Sequence, residues 1–167
     1  MPKSEQGVNF DRYVVIPRTL IFITRGQEVL LLKGAPTKRL WANRYNGIGG
    51  HVERGEDVLS AARRELLEET GLEVAEMRLV GTVLINAEAQ VGISLFVFKG
   101  EYSGGELIES REGALEWVQV ERLADYPLVE DLRTLLPHIL AMQAGDAPFA
   151  ARYFYDENDA LQIVFGV

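Results

Sequence analysis

Three glutamates, Glu65, Glu68 and Glu69, fall at positions i, i+3 and i+4 of a run that carries every local mark of a helix. The run from Asp57 to Thr70 reads DVLSAARRELLEET, rich in strong helix formers and free of Gly and Pro, and Gly71 follows as a C-terminal stop. Val58, Ala62 and Leu66, at i, i+4 and i+8, predict its buried stripe. Helical spacing therefore stacks three carboxylates on one side, where like charges are destabilising unless something neutralises them. Two readings follow. Either Arg63 and Arg64 pair with neighbouring acids on a solvated face, or the cluster takes up hard divalent cations, which prefer carboxylate and carbonyl oxygens.

Composition limits what else the chain can do. Its 167 residues suit one domain with a substantial core, so residues 1–167 are read as a single domain with a polar extension at 1–16. There is no cysteine, which excludes disulfides, thiolate nucleophiles and Cys-based zinc sites. His51 and His138 are the only imidazoles and lie in unrelated contexts, which argues against a histidine metal centre or triad. A net charge of -8 is wrong for gripping a nucleic acid polymer by its phosphates. An acidic protein that handles phosphates needs a cation between them. No apolar run is long enough to span a bilayer, and the N-terminus lacks the apolar stretch of a secretory signal, so a cytoplasmic location and no membrane partner are expected.

Along the chain, Leu20 to Thr24 and Val29 to Lys33 read as two strands of a hairpin turning at Arg25 to Gln27. Gly34 to Gly50 reads as a long irregular loop, the kind that tends to be functional. Met77 to Asn86 and Val91 to Lys99 are further strand runs, followed by a Gly-rich turn at Ser103 to Gly105 and a short strand at Leu115 to Val120. Leu128 to Met142 reads as a helix distorted at Pro137, and the tail as a hairpin turning at Asp156 to Asp159.

The string around the acidic helix, GHVERGEDVLSAARRELLEETGL from Gly50 to Leu72, resembles the Nudix signature G-x5-E-x7-R-E-U-x-E-E-x-G-U, where U is aliphatic. It matches at every specified position: Gly50, Glu56, Arg64, Glu65, Leu66, Glu68, Glu69, Gly71 and Leu72. The resemblance implies an α/β fold, the Nudix α/β/α sandwich with a mixed sheet, and places a loop-helix box at 49–72. It implies Mg²⁺ as cofactor, with Mn²⁺ as substitute, held by Glu65, Glu68, Glu69 and the Gly49 carbonyl. Arg64 would orient a neighbouring glutamate or offset the acidic field, and Glu56 would sit at the helix entry behind the ligands. A carboxylate takes the proton of the attacking water; Glu65 and a later acid, Glu112, are the two candidates.

Beyond the box, RYNGIGGHVERGE and ESREGALEWVQVERL are similar to segments of the MutT-like branch that cleaves oxidised purine nucleoside triphosphates. That likeness places Glu112 on a loop as metal ligand or base, and Asn46 against the purine; alternatively Asn46 only starts an Asn-Gly turn. Glu130 and Asp131 fall where the branch carries two acids that grip the base, though Leu128 and Val129 replace its aromatic; the plainer reading is that these acids begin a helix. His51 is expected to be an exposed loop residue, and Trp41 either lines the pocket mouth or, the commoner fate of a large aromatic, packs in the core. Tyr153, Phe154 and Tyr155 are expected to give core plus one exposed ring. The implied reaction is hydrolysis of a nucleoside triphosphate such as 8-oxo-dGTP to monophosphate and pyrophosphate. Its rivals are cleavage of a nucleoside diphosphate linked to another group, such as ADP-ribose or an NDP-sugar, and a non-catalytic nucleotide sensor. The expected partner is a nucleotide, with a homodimer left open.

Overall fold

The computed structural model describes residues 2, 5–9 and 11–166. In chain order the elements are β1 (Val14–Arg25), β2 (Glu28–Gly34), β3 (Tyr45–Asn46), α1 (Val58–Thr70), β4 (Met77–Ile85) and β5 (Val91–Glu101). They continue with β6 (Gly113–Gln119), a 3-10 segment at Val120–Asp125, α2 (Leu132–Ala141), β7 (Phe149–Tyr155) and β8 (Leu161–Phe165). The strands form one mixed sheet in the order β3, β2, β1, β5, β4, β7, β8, with β6 also paired to β2. β1 starts at Val14, inside the stretch read as an extension, because it runs parallel along β5 from Val14 opposite Val91 to Thr24 opposite Glu101.

Period-two alternation along β1 divides the core into two layers. Leu20 and Phe22 point into one, with Val83 and Val97 of the sheet and Leu132, Leu135, Leu136 and Ile139 of α2. Ile21 and Ile23 point into the other, with Leu30, Phe98 and, from α1, Ala62 and Leu66. A helix on each face of a mixed sheet is the expected α/β/α arrangement.

Two helix readings shift. The buried face of α1 is Ala61, Ala62, Leu66 and Thr70, with Val58 only partly covered in the first turn, next to the N-cap. Asp57 is that cap: its Oδ1 accepts from the Leu59 and Ser60 amides at 2.9 Å each. Gly71 closes the helix in the left-handed conformation, φ 74°. The second helix begins at Leu132, four residues later than its apolar pattern suggests. Tyr45 is the reason. Its N–H donates to the Pro127 carbonyl at 3.0 Å and its own carbonyl accepts from Val129 at 2.9 Å, which holds 127–129 extended. Pro137 lies inside α2 on its exposed side, where the carbonyl left without an N–H partner can turn to water.

β1 and β2 are paired only at their turn, Thr24 with Val29 and Arg25 with Glu28. Beyond it the strip Tyr45–His51 fills the space between them. Tyr45 and Asn46 pair with Lys33 and Leu32 of β2, whereas Ile48 and His51 bridge to Ile21 and Arg18 of β1. The irregular loop thus ends as a backbone strip seated on the sheet.

The C-terminus of α2 is held by a basic side chain from the sheet. Lys99 Nζ donates to the carbonyls of Ile139, Leu140 and Met142 at 3.4, 3.1 and 3.1 Å. The last carbonyls of a helix lack their usual i+4 donors, although that of Ile139 also accepts from the Met142 amide at 3.2 Å, and the helix dipole favours a cation there. Lys99→Met should lower the urea midpoint, at unchanged m-value, by an amount equivalent to about 1–3 kcal/mol.

Candidate active site

A cavity of about 860 Å³ opens where the strip, α1 and the far strands meet. At one end lie Gly49, Gly50, Glu65, Glu69 and Glu112; at the other lie Asn46, Val129, Glu130, Asp131, Tyr153 and Leu161. Two segments more than sixty residues apart, the strip and the start of α2, therefore share one wall.

The paired glycines allow the first end to close tightly. A Cβ on Gly50 would run into the Glu65 carboxylate, and one on Gly49 into the Thr19 carbonyl oxygen. Thr19 N–H donates to the Gly50 carbonyl at 2.9 Å, which fixes the bend to β1. Across the bend, Arg64 Nη2 donates to the His51 carbonyl at 3.0 Å. The same guanidinium grips Glu56 through Nε at 2.7 Å and Nη2 at 3.0 Å, and its Nη1 donates to Glu65 at 2.8 Å and Glu68 at 3.1 Å. Glu56 in turn accepts from the Glu53 amide at 3.0 Å, which together with Arg64 holds its carboxyl below the usual range.

The three helical carboxylates are not equivalent. Glu65 and Glu69 line the cavity, whereas Glu68 stands outside it, its side chain 58% exposed and tied to Arg64. Glu112 also lines the cavity and is ion-paired with Lys38. As they stand, no three carboxylates converge on one point among the described residues. Glu69 is the carboxylate without a cationic partner. Its Oε2 is buried and makes no hydrogen bond. Burial, and then the charges of Glu65 and Glu112, push its pKa from 4.5 up to about 7 against the opposing pull of the Gly49 amide and Lys38. A buried carboxylate oxygen with no donor, flanked by two more carboxylates and a glycine bend, is a set of hard oxygen donors that suits a divalent cation.

At the other end, Asn46 lines the cavity and its Oδ1 accepts from the Gly47 amide at 2.8 Å. The Asn-Gly turn does not form, because Asn46 pairs with Leu32 in β3 and the chain runs on extended to bridge Ile48 with Ile21. Asp131 is the N-cap residue of α2, as the helix-start reading expects, makes no side-chain capping hydrogen bond, and lines the cavity. Burial raises its pKa, and Tyr153, whose hydroxyl is buried beside it without a well-formed hydrogen bond, is raised by burial and then by the Asp131 charge. Leu128 and Val129 are buried. His51 is exposed, as expected. Trp41 takes the pocket-mouth position rather than the core: it is 49% exposed at the cavity rim with φ 59°, where its backbone forms a turn that receives the Arg44 amide. Tyr153 is core and Tyr155 is the exposed ring.

Sequence reasoning missed Arg18, Thr19 and Tyr153 as members of this wall, and Lys38 as the ion-pair partner of Glu112. Arg18 carried a signal, a lone charge two positions before Leu20 and so on the same face of β1. Lys38 carried none.

The NUDIX domain family model matches residues 15–139. The chain belongs to the Nudix family. It is 28% identical over 144 residues to the oxidized purine nucleoside triphosphate hydrolase of Mus musculus, covering 86% of this chain and 88% of that protein. It is 31% identical over 134 residues to the NAD-capped RNA hydrolase NudC of Pseudomonas aeruginosa, covering 78% of this chain but only 46% of NudC. A crystal structure of the MutT protein from Bacillus halodurans superposes with a TM-score of 0.75 at 24% identity, over 90% of this chain and 97% of that one. This Nudix chain is accordingly a hydrolase of nucleotide-linked substrates, in a family that generally uses divalent metal ions. No described helix is long and apolar enough to cross a membrane.

The raised Glu69 pKa has a consequence for stability. The folded protein holds that proton more tightly than the unfolded chain, so the contribution is complete below pH 4.5 and is lost as pH rises through about 7. In EDTA, the melting temperature of wild type should fall relative to Glu69→Gln across that window. Parallel melting curves from acid to neutral pH would show that Glu69 ionises freely.

Proposed function

We propose that this Nudix protein hydrolyses a nucleoside triphosphate, such as 8-oxo-dGTP, to the monophosphate and pyrophosphate with Mg²⁺. The observation that carries the reading is the unpartnered, buried Glu69 oxygen beside Glu65, Glu112 and the Gly49–Gly50 bend. Glu65, Glu69, Glu112 and the Gly49 carbonyl would hold Mg²⁺, and Glu68, now paired with Arg64, is the further carboxylate of the box that could reach it. Bound there, the ion supplies positive charge to the diphosphate oxygens and lowers the pKa of the attacking water.

The residues of the chain do the rest. Glu65 or Glu112 takes the proton as the water oxygen bonds to phosphorus, the bridging P–O bond breaks, and the bridging oxygen departs with the bonding electron pair on the leaving phosphate group, which separates monophosphate from pyrophosphate. Arg64 keeps Glu65 on one side of its own carboxyl, and Lys38 steadies Glu112. Asn46 presents a donor and an acceptor to the base edge, and Asp131, whose pKa burial raises, stands beside it with a carboxyl. Glu130 stands at the rim beside them.

The second reading, cleavage of a nucleoside diphosphate joined to another group, is favoured by two observations. One is the likeness to NudC. The other is that Leu128 and Val129 are buried aliphatic residues and offer no stacking ring.

A substrate panel with Mg²⁺ separates the readings. Pyrophosphate released from a triphosphate supports the first. Two phosphate monoesters from ADP-ribose or an NDP-sugar support the second. On the best substrate, Glu65→Gln and Glu69→Gln should each lower kcat by about 100-fold or more with circular dichroism unchanged. A near-wild-type rate would remove that residue from the site, and equal turnover by wild type and Glu69→Gln across the panel would favour a sensor.

A further inference from the structure

The cavity wall carries six carboxylates, Glu53, Glu65, Glu69, Glu112, Glu130 and Asp131, and among the described residues Arg18 is the one Lys or Arg that lines it. Arg18 forms an ion pair with none of these acids. It is half-buried, and its Nε is buried with no hydrogen-bond partner. A guanidinium is five donors in a fixed fork, and leaving one of them dry and unpartnered costs stability. The acids that could relieve it stand on the same wall, yet none of them lies within ion-pair distance of it.

Its place in the sheet says what it faces. Arg18 lies opposite Leu95 in the β1–β5 register, on the same side of β1 as Leu20, and Leu20 and Leu95 both line the apolar half of the cavity. On its other edge its backbone bridges to His51, and the next residue, Thr19, carries the glycine bend. The side chain therefore stands between the carboxylate end and the end with Asn46 and Asp131. A nucleotide lying along the cavity puts the phosphate next to its sugar at that point.

We infer that Arg18 grips the phosphate attached to the nucleoside, and so makes the site select phosphorylated nucleotides over bare nucleosides. This rests on the proposed orientation of the nucleotide, with its base at Asn46 and its diphosphate at Glu69. The charge-assisted fork satisfies the dry Nε and supplies the positive charge that the acidic wall otherwise lacks.

The test uses full-length wild type, Arg18→Met and Arg18→Lys with excess Mg²⁺. The probes are dGMP, dAMP and their 8-oxo forms, each beside its nucleoside, titrated by calorimetry. Wild type should bind at least one monophosphate roughly tenfold or more tightly than its nucleoside. That preference should vanish in Arg18→Met and return in part in Arg18→Lys, while nucleoside affinity stays level. For the best triphosphate of the panel, KM should rise by a similar factor with kcat changed far less. Arg18→Met should melt at or above wild type, because it removes an unpartnered polar group from the wall. A phosphate preference missing from wild type, or surviving in Arg18→Met, overturns the inference. So does an equal loss of nucleoside and nucleotide affinity with a lowered melting temperature, the mark of a structural role. Absence of triphosphate turnover with the phosphate preference intact sinks the proposed reaction but leaves Arg18 in this role.

Discussion

One guanidinium holds the acidic half of this molecule together. Arg64 sits on α1 yet bonds the helix entry through Glu56, two helical carboxylates through Glu65 and Glu68, and the glycine bend through the His51 carbonyl. A lysine could not do this, because the contacts need a planar fork with donors on several sides. Surrounded by carboxylates, Arg64 is held still more firmly in its charged form than a free arginine. Its charge offsets Glu65 and Glu68, so the crowding of acids that would fray an isolated helix is concentrated on Glu69. Of the two helical carboxylates that line the cavity, Glu65 and Glu69, only Glu65 is paired with Arg64.

The sheet supplies the counterpart to that arrangement. β1 serves both layers at once, its even-numbered side chains Leu20 and Phe22 underlying α2 and its odd-numbered Ile21 and Ile23 underlying α1. The strip from Tyr45 to His51 lies flat against it, so flat that a Cβ on Gly47 would strike Leu20 and Phe22. Tyr45 then reaches Glu116 through its hydroxyl at 2.5 Å, and Tyr126 reaches the same carboxylate at 3.0 Å. Those bonds tie the strip to β6 and to the segment leading into α2.

Much of this was legible in the sequence where local chemistry decides. Gly71 and the unbroken helix formers placed α1 to within one residue, although the cap is Asp57, read as the first helical residue, and the box spacing identified Glu56, Arg64, Glu65 and Glu69 as neighbours. What was not legible depends on long-range contacts. The late start of α2 comes from hydrogen bonds to Tyr45, more than eighty residues earlier, and nothing in the local pattern of 128–131 announces them. Glu68 has the same helical spacing as its neighbours, yet Arg64 draws it outside the cavity. Lys38 lies in an irregular loop, where no periodicity says which way a side chain points. Trp41 looked like core by residue type alone, but its left-handed backbone turns the ring to the rim.

The strip has one more consequence. Tyr45 is bonded on both sides to 127–129, and Gly50 is bonded to Thr19, so each end of this short stretch is anchored by main chain rather than by pliable side chains. Such a stretch behaves as a gauge block. The interval between the Asn46 end and the Glu69 end is set by peptide geometry and does not stretch to suit a visitor. Molecules of different length must then meet the scissile position by fitting the interval or by leaving the Asn46 end unfilled, and a drift in preference during evolution would arise from recutting the walls at 128–131 and 153–161 while the block itself stays the same size.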